Sequence, residues 1–97
     1  MYSSNPSSSP STGKGTNTVT ISGMAFSPVS LTVAVGTAVT WTNNDSVAHT
    51  VTSDTKVFDS GSITAAVGTY SFTFTVTGTY NYHCTIHPMM TAKIIVQ

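Results

Sequence analysis

From Asn17 to the C-terminus, apolar and polar residues alternate with a period of two in short runs, and turn residues break every run. This rhythm sends successive side chains to opposite faces, so it describes strands with one buried face and leaves no stretch for an amphipathic helix. Val19 and Ile21 alternate with Thr and Ser. Leu31, Val33 and Val35 alternate with Thr32 and Ala34 before Gly36, and Val39 and Trp41 follow before the turn-forming run Asn43-Asn44-Asp45-Ser46. A strand is expected over residues 48–53, with His49 and Val51 on one face and Thr50 and Thr52 on the other. Phe72, Phe74 and Val76 share a face, as do Tyr80, Tyr82 and Cys84, and then Ala92, Ile94 and Val96. Thr and Ser make up about a third of the chain, and β-branched and aromatic residues dominate the remainder, which is strand composition. Trp41, Phe72, Phe74, Tyr80 and Tyr82 are the expected core aromatics. About seven or eight such strands predict an all-β fold, a Greek-key β-sandwich of two antiparallel sheets. An immunoglobulin-like adhesion module fits the alternation equally well, but such domains usually staple their sheets with a cysteine pair, and this chain has one cysteine.

Residues 1–16 are rich in Ser, Pro and Gly and carry too little apolar area to offset the entropy of ordering, so they read as a flexible tail or tether. Residues 17–97 are the expected single domain. Three Lys oppose three Asp, giving a net charge of +0. Phosphate recognition needs clustered cations, so a nucleic-acid partner is not expected. No apolar run approaches the ~20 residues of a spanning helix, and the N-terminus lacks the charged and apolar regions of an export signal. A monomer without direct membrane insertion is expected.

The lone cysteine lies in the run Tyr80-Asn81-Tyr82-His83-Cys84-Thr85-Ile86-His87-Pro88-Met89-Met90. Taken alone, Cys84 reads as a small buried hydrophobe. Its context adds chemistry. Cys84 continues the inward face of Tyr80 and Tyr82, and His87 and Met90 follow at intervals of three in a loop stiffened by Pro88. His49 is the other histidine near a strand end that can converge on the same point. A thiolate, two imidazoles and a weak thioether favour copper cycling between cupric and cuprous states. Zinc is the competitor, although structural zinc usually takes four strong ligands at paired spacings. A nucleophile built from Cys84 and His87 would leave His49 and Met90 without a role. His83, one residue before Cys84, should face outward as a solvated histidine or as an electron entry point joined to the site through the Cys84 backbone. Lys93 and Asp54 read as solvated charges.

The segments GTYNYHCTIHPMM and TAKIIVQ, with FSPVSLTVAVGTAVTWTNNDSVAHTV upstream, resemble the cupredoxins, the small blue (type 1) copper proteins. The resemblance covers nearly everything after the tail, and the Cys-x-x-His-x-x-Met loop has the short spacing of amicyanin rather than the longer one of plastocyanin. It implies a cupredoxin-like sandwich holding one copper ion per chain, with His49, Cys84 and His87 as equatorial ligands and Met90 as the axial ligand. Met89 is the rival for the axial place, but the stretch from Met90 to Val96 matches the family's entry into its last strand. Many members carry Asn after the first ligand histidine, where this chain has Thr50. A loop tie of different chemistry is therefore expected, with the backbone amide still able to approach the sulfur. The implied function is one-electron transfer between redox protein partners without enzymatic chemistry, with copper binding, delivery or storage as the alternative. Partners are expected to dock weakly on an apolar patch where Ala48, Pro88 and Met89 ring His87. Cupredoxins generally work outside the cytoplasm, which implies a periplasmic or extracellular location.

Overall fold

The alternating segments close into two facing four-stranded sheets in the computed structural model, which describes residues 16–97. Apart from Thr16, the expected tail lies outside the described residues. The elements are β1 (Thr16–Ser22), β2 (Ala25–Ser27), β3 (Ser30–Val33), β4 (Thr37–Asn43), β5 (Thr52–Ser53), β6 (Thr69–Phe74), β7 (Gly78–His83) and β8 (Thr91–Val96). One sheet has the order β2-β1-β4-β6 and the other β3-β8-β7-β5, so sequence neighbours repeatedly cross between sheets. The sheets are mixed rather than wholly antiparallel, because β1 runs parallel to β4 and β3 runs parallel to β8. Alternation reports which face of a strand is buried, not the direction of its neighbour. Only the crossings decide that.

Where a strand packs squarely against the other sheet, the alternation is sharp. On β4, Thr37, Val39, Trp41 and Asn43 are buried while the residues between them are half-buried. On β8, Ala92, Ile94 and Val96 are buried. Trp41 sits at the centre, with Tyr70, Phe58 and Tyr82 at ring-centroid distances of 5.7, 5.8 and 5.5 Å. Its indole Nε1–H donates to the Tyr82 hydroxyl across 3.1 Å. Burial pushes the Tyr82 phenol up to about 12, with the Trp41 bond acting against that rise, so it remains neutral at ordinary pH.

Three expectations shift at strand ends. Val35 and Val76 lie beyond β3 and β6 and are exposed, because each strand stops once its sheet partner ends. Of the expected core aromatics, Phe72 on the edge strand β6 is only half-buried, since that edge has a neighbour on one side, and Tyr80 on β7 is half-buried as well. The strand expected over 48–53 shrinks to β5, with His49 making an isolated bridge to Ile63. Here both faces are covered: His49, Thr50, Val51, Thr52 and Ser53 are all buried. The segment from Phe58 to Ile63 folds over them, held by backbone bonds from Ser53 N to Phe58 O, Ser60 N to Val51 O and Ile63 N to His49 O.

Candidate metal centre

The end of β7 delivers Cys84 fully buried at one end of the sandwich. The loop after it is a closed bracket: Cys84 N donates to Met90 O at 3.1 Å, and Met90 N donates to His87 O at 2.9 Å. That bracket folds residues 84–90 back on themselves, so His87 returns beside Cys84 before β8 begins. His49 arrives from the other side, on the segment after β4. The ligand atoms of His49, Cys84 and His87 all lie within 4.8 Å of one another. Cys84 Sγ is 3.6 Å from Nδ1 of each histidine, and the two Nδ1 atoms are 3.2 Å apart.

Hydrogen bonds around this cluster set which atoms are free to donate electron pairs. His49 Nε2 lies 2.8 Å from Asp45 Oδ2. A carboxylate only accepts, so in neutral His49 the proton sits on Nε2 and the lone pair of Nδ1 faces Cys84. Asp45 is held in turn by the amides of Gly23 at 2.8 Å and Met24 at 2.9 Å. The Met24 amide first, then the His49 ring, keep its carboxyl below the usual range against a smaller opposing effect of burial. Asp45 was not marked by the sequence beyond its turn. Its signal was available, since it stands four residues before a candidate ligand and inside a turn closed by Asp45 N to Asn43 Oδ1 at 2.9 Å.

Thr50 serves both halves of the site. Its amide points at Cys84 Sγ across 3.3 Å, and its hydroxyl oxygen accepts the Thr85 amide at 2.8 Å. The loop tie expected to differ therefore exists, made by a hydroxyl. Burial by itself raises the Cys84 thiol, but the Thr50 amide and the two imidazoles outweigh it together and bring the thiol down to about 6. With protons shared between the sulfur and the ring nitrogens in the metal-free protein, one S and two N donors face one point, a soft pocket suited to a cation that takes the place of those protons.

Met90 is buried, at 6% exposure, whereas Met89 is 94% exposed. Met24, Ile86, His87, Pro88, Met89 and Met90 line a surface cavity of about 430 Å³. Ala48, expected in that ring, is half-buried and is not among the lining residues. The turn carrying Met24, drawn in by Asp45, supplies part of the wall, together with Ile86. Met24 was not singled out from sequence, because the turn between β1 and β2 reaches this rim only through the fold; Ile86, inside the loop itself, was not singled out either. His83 faces outward as expected, half-exposed. Its Nδ1 pairs with Asp54 Oδ1 at 2.6 Å, so Asp54 is not simply solvated. Lys93 is exposed.

Comparison with known proteins points the same way. The family described as copper binding proteins, plastocyanin/azurin family, matches residues 13–97. Amicyanin from Paracoccus denitrificans is 34% identical over 99 residues, covering 98% of this chain and 76% of that protein. An oxidised amicyanin variant superposes with a TM-score of 0.79 at 36% identity, covering 86% of this chain and 83% of the other. A purple cupredoxin from Nitrosopumilus maritimus gives a TM-score of 0.78 at 29% identity, covering 84% and 99%.

Proposed function

Because this chain belongs to the copper-binding plastocyanin/azurin family, we propose that it is a type 1 copper protein that carries single electrons between redox partners. The observation that carries this reading is the convergence of His49, Cys84 and His87 within 4.8 Å. In it these three side chains would hold the copper ion as its strong donors, with Met90 as the weak fourth donor. The donor set fits copper: one thiol and two imidazoles in a cluster, and a buried methionine, Met90, whose backbone is bonded to Cys84 and His87 and whose thioether is a weak donor rather than a fourth strong one. Bound copper supplies the one-electron couple.

The chain's own residues supply position and access. Asp45 fixes the tautomer and ring orientation of His49, and the Thr50 amide directs a partial positive charge at the sulfur. The bracket between Cys84, His87 and Met90 holds the loop ligands in register. Such anchoring keeps the donors still when the charge between them changes, so little reorganisation opposes transfer. It also favours a carrier over a delivery protein, whose site must open. The burial of Met90 and the exposure of Met89 support Met90 as the methionine that would donate to the metal.

His87 is half-exposed and lines the apolar cavity with Pro88 and Met89, which gives electrons a short route between the site and a docked protein. Weak, transient docking there by a donor and an acceptor, a monomeric state, and a periplasmic or extracellular location complete the reading. No substrate chemistry is assigned. The test is to add Cu(II) to the metal-free protein and record visible and electron paramagnetic resonance spectra. Intense red-light absorption with narrow copper hyperfine splitting is expected, and a colourless complex would exclude the site. Met90→Leu should change both spectra, whereas Met89→Leu should leave them near the parent's.

A further inference from the structure

A run of hydroxyl groups leads away from the candidate centre to the surface. Thr85 Oγ1 lies 3.1 Å from Thr50 Oγ1, Thr50 Oγ1 lies 3.0 Å from Thr52 Oγ1, and Thr52 Oγ1 lies 3.1 Å from Asp59 Oδ1. Thr50 and Thr52 are 5% and 3% exposed, so solvent does little to satisfy them. Each hydroxyl has one proton and two lone pairs. The Asp59 carboxylate accepts only, so the single Thr52 proton is committed to it. Thr52 must therefore accept from Thr50, which commits the Thr50 proton. Thr85 must then donate to Thr50. One arrangement of protons satisfies every contact, and it runs in one direction from Thr85 to Asp59.

In that arrangement both lone pairs of Thr50 Oγ1 are filled from the ligand loop, one by the Thr85 hydroxyl and one by the Thr85 amide at 2.8 Å. Bonds in such a chain polarise one another in the same sense, so the carboxylate at its end strengthens the tie at its start. Thr50 is the residue whose amide points at Cys84 Sγ. We propose that Thr52 and Asp59 are positioning residues for the copper site, which fix Thr50 against the ligand loop and so hold its amide on the thiolate. This rests on the copper reading above only for its effect on the metal; the clamp on Thr50 and Thr85 exists without it.

Loss of the clamp weakens the amide's hold on the sulfur, leaves the sulfur richer in electron density and favours the cupric state. The test compares Thr52→Val, which keeps shape but removes the hydroxyl, with Thr52→Ser, which restores it, and with Asp59→Asn, which makes the end of the chain neutral. Circular dichroism and urea unfolding establish that each variant is folded. In the metal-free protein, Thr52→Val should speed exchange of the Thr85 amide by roughly three- to tenfold, the change expected when about one net hydrogen bond is lost. With copper bound, its reduction potential should fall below the parent's and its charge-transfer band should shift. Thr52→Ser should match the parent in both measurements, and Asp59→Asn should move in the same direction as Thr52→Val by less. Unchanged exchange and potential in Thr52→Val would overturn the proposal, as would equal changes in Thr52→Ser and Thr52→Val, which would assign the effect to packing. Should Thr52→Val not fold, an Asp59→Asn variant identical to the parent in both measurements overturns it. A parent protein that forms no blue complex would sink the copper reading alone, since the exchange measurement needs no metal.

Discussion

At the scale of single residues, the centre depends on supports that are not ligands. Asp45 orients His49 and is itself held by two backbone amides, so Asp45→Ala should weaken copper binding by roughly 10–100-fold in competition with a chelator, the usual effect of losing such a partner. Cys84 makes stability depend on pH. Its thiol is lowered to about 6 in the folded, metal-free protein from an ordinary 9.0. Between those values the unfolded chain binds the proton and the folded one does not. Stability from this group is therefore fully present above about pH 9 and lost as pH falls through about 6. Urea unfolding of the metal-free protein should show stability rising from pH 6 to 9, and Cys84→Ser should remove most of that rise. The ligand candidates themselves were legible from residue type and spacing, because Cys84, His87 and Met90 recur at intervals of three around Pro88 and His49 is the other histidine near a strand end. The Thr50 hydroxyl tie was not, since it acts across the fold on a group 35 residues away, and Asp45, although only four residues from His49, takes its position from the amides of Gly23 and Met24.

At the scale of elements, β4 and β7 lie in opposite sheets and are joined by a buried polar contact. The Trp41 indole on β4 donates to the Tyr82 hydroxyl on β7, two residues before Cys84. Tyr82→Phe keeps the ring but leaves the indole N–H unpaired where water does not reach. This should cost about 1–3 kcal/mol in urea unfolding. The strands that alternate cleanly were readable because each has one face on the core, as with Trp41 on β4 and Ile94 on β8. The segment at 48–53 was not, since the overlying residues Phe58 and Ile63 bury its second face and make alternation uninformative there. Val35 and Val76 show the opposite limit: an apolar residue in correct phase stays outside when the strand has already ended.

At the scale of the whole molecule, three Lys and three Asp leave no net charge to steer a partner. The cavity around His87 is walled by Met24, Ile86, Pro88, Met89 and Met90, so docking should rest on apolar contact. Electron exchange with a redox partner should change little between low and moderate ionic strength, as measured by stopped-flow. Met89→Lys should slow it several-fold while leaving the copper spectra intact. A steep fall with added salt in the parent would contradict the apolar docking surface. Alternation that only a half-buried strand satisfies made the all-β architecture readable along the chain, and residue types at short spacing did the same for the candidate donors. The parallel pairings, the carboxylate behind His49, the hydroxyl chain beneath Thr50 and the Met24 wall of the cavity emerged only with the fold. The parallel pairings, the Thr50–Thr85 tie and the bonds from Gly23 and Met24 to Asp45 join segments distant in sequence, and such contacts follow from how strands cross between sheets, which no local period encodes.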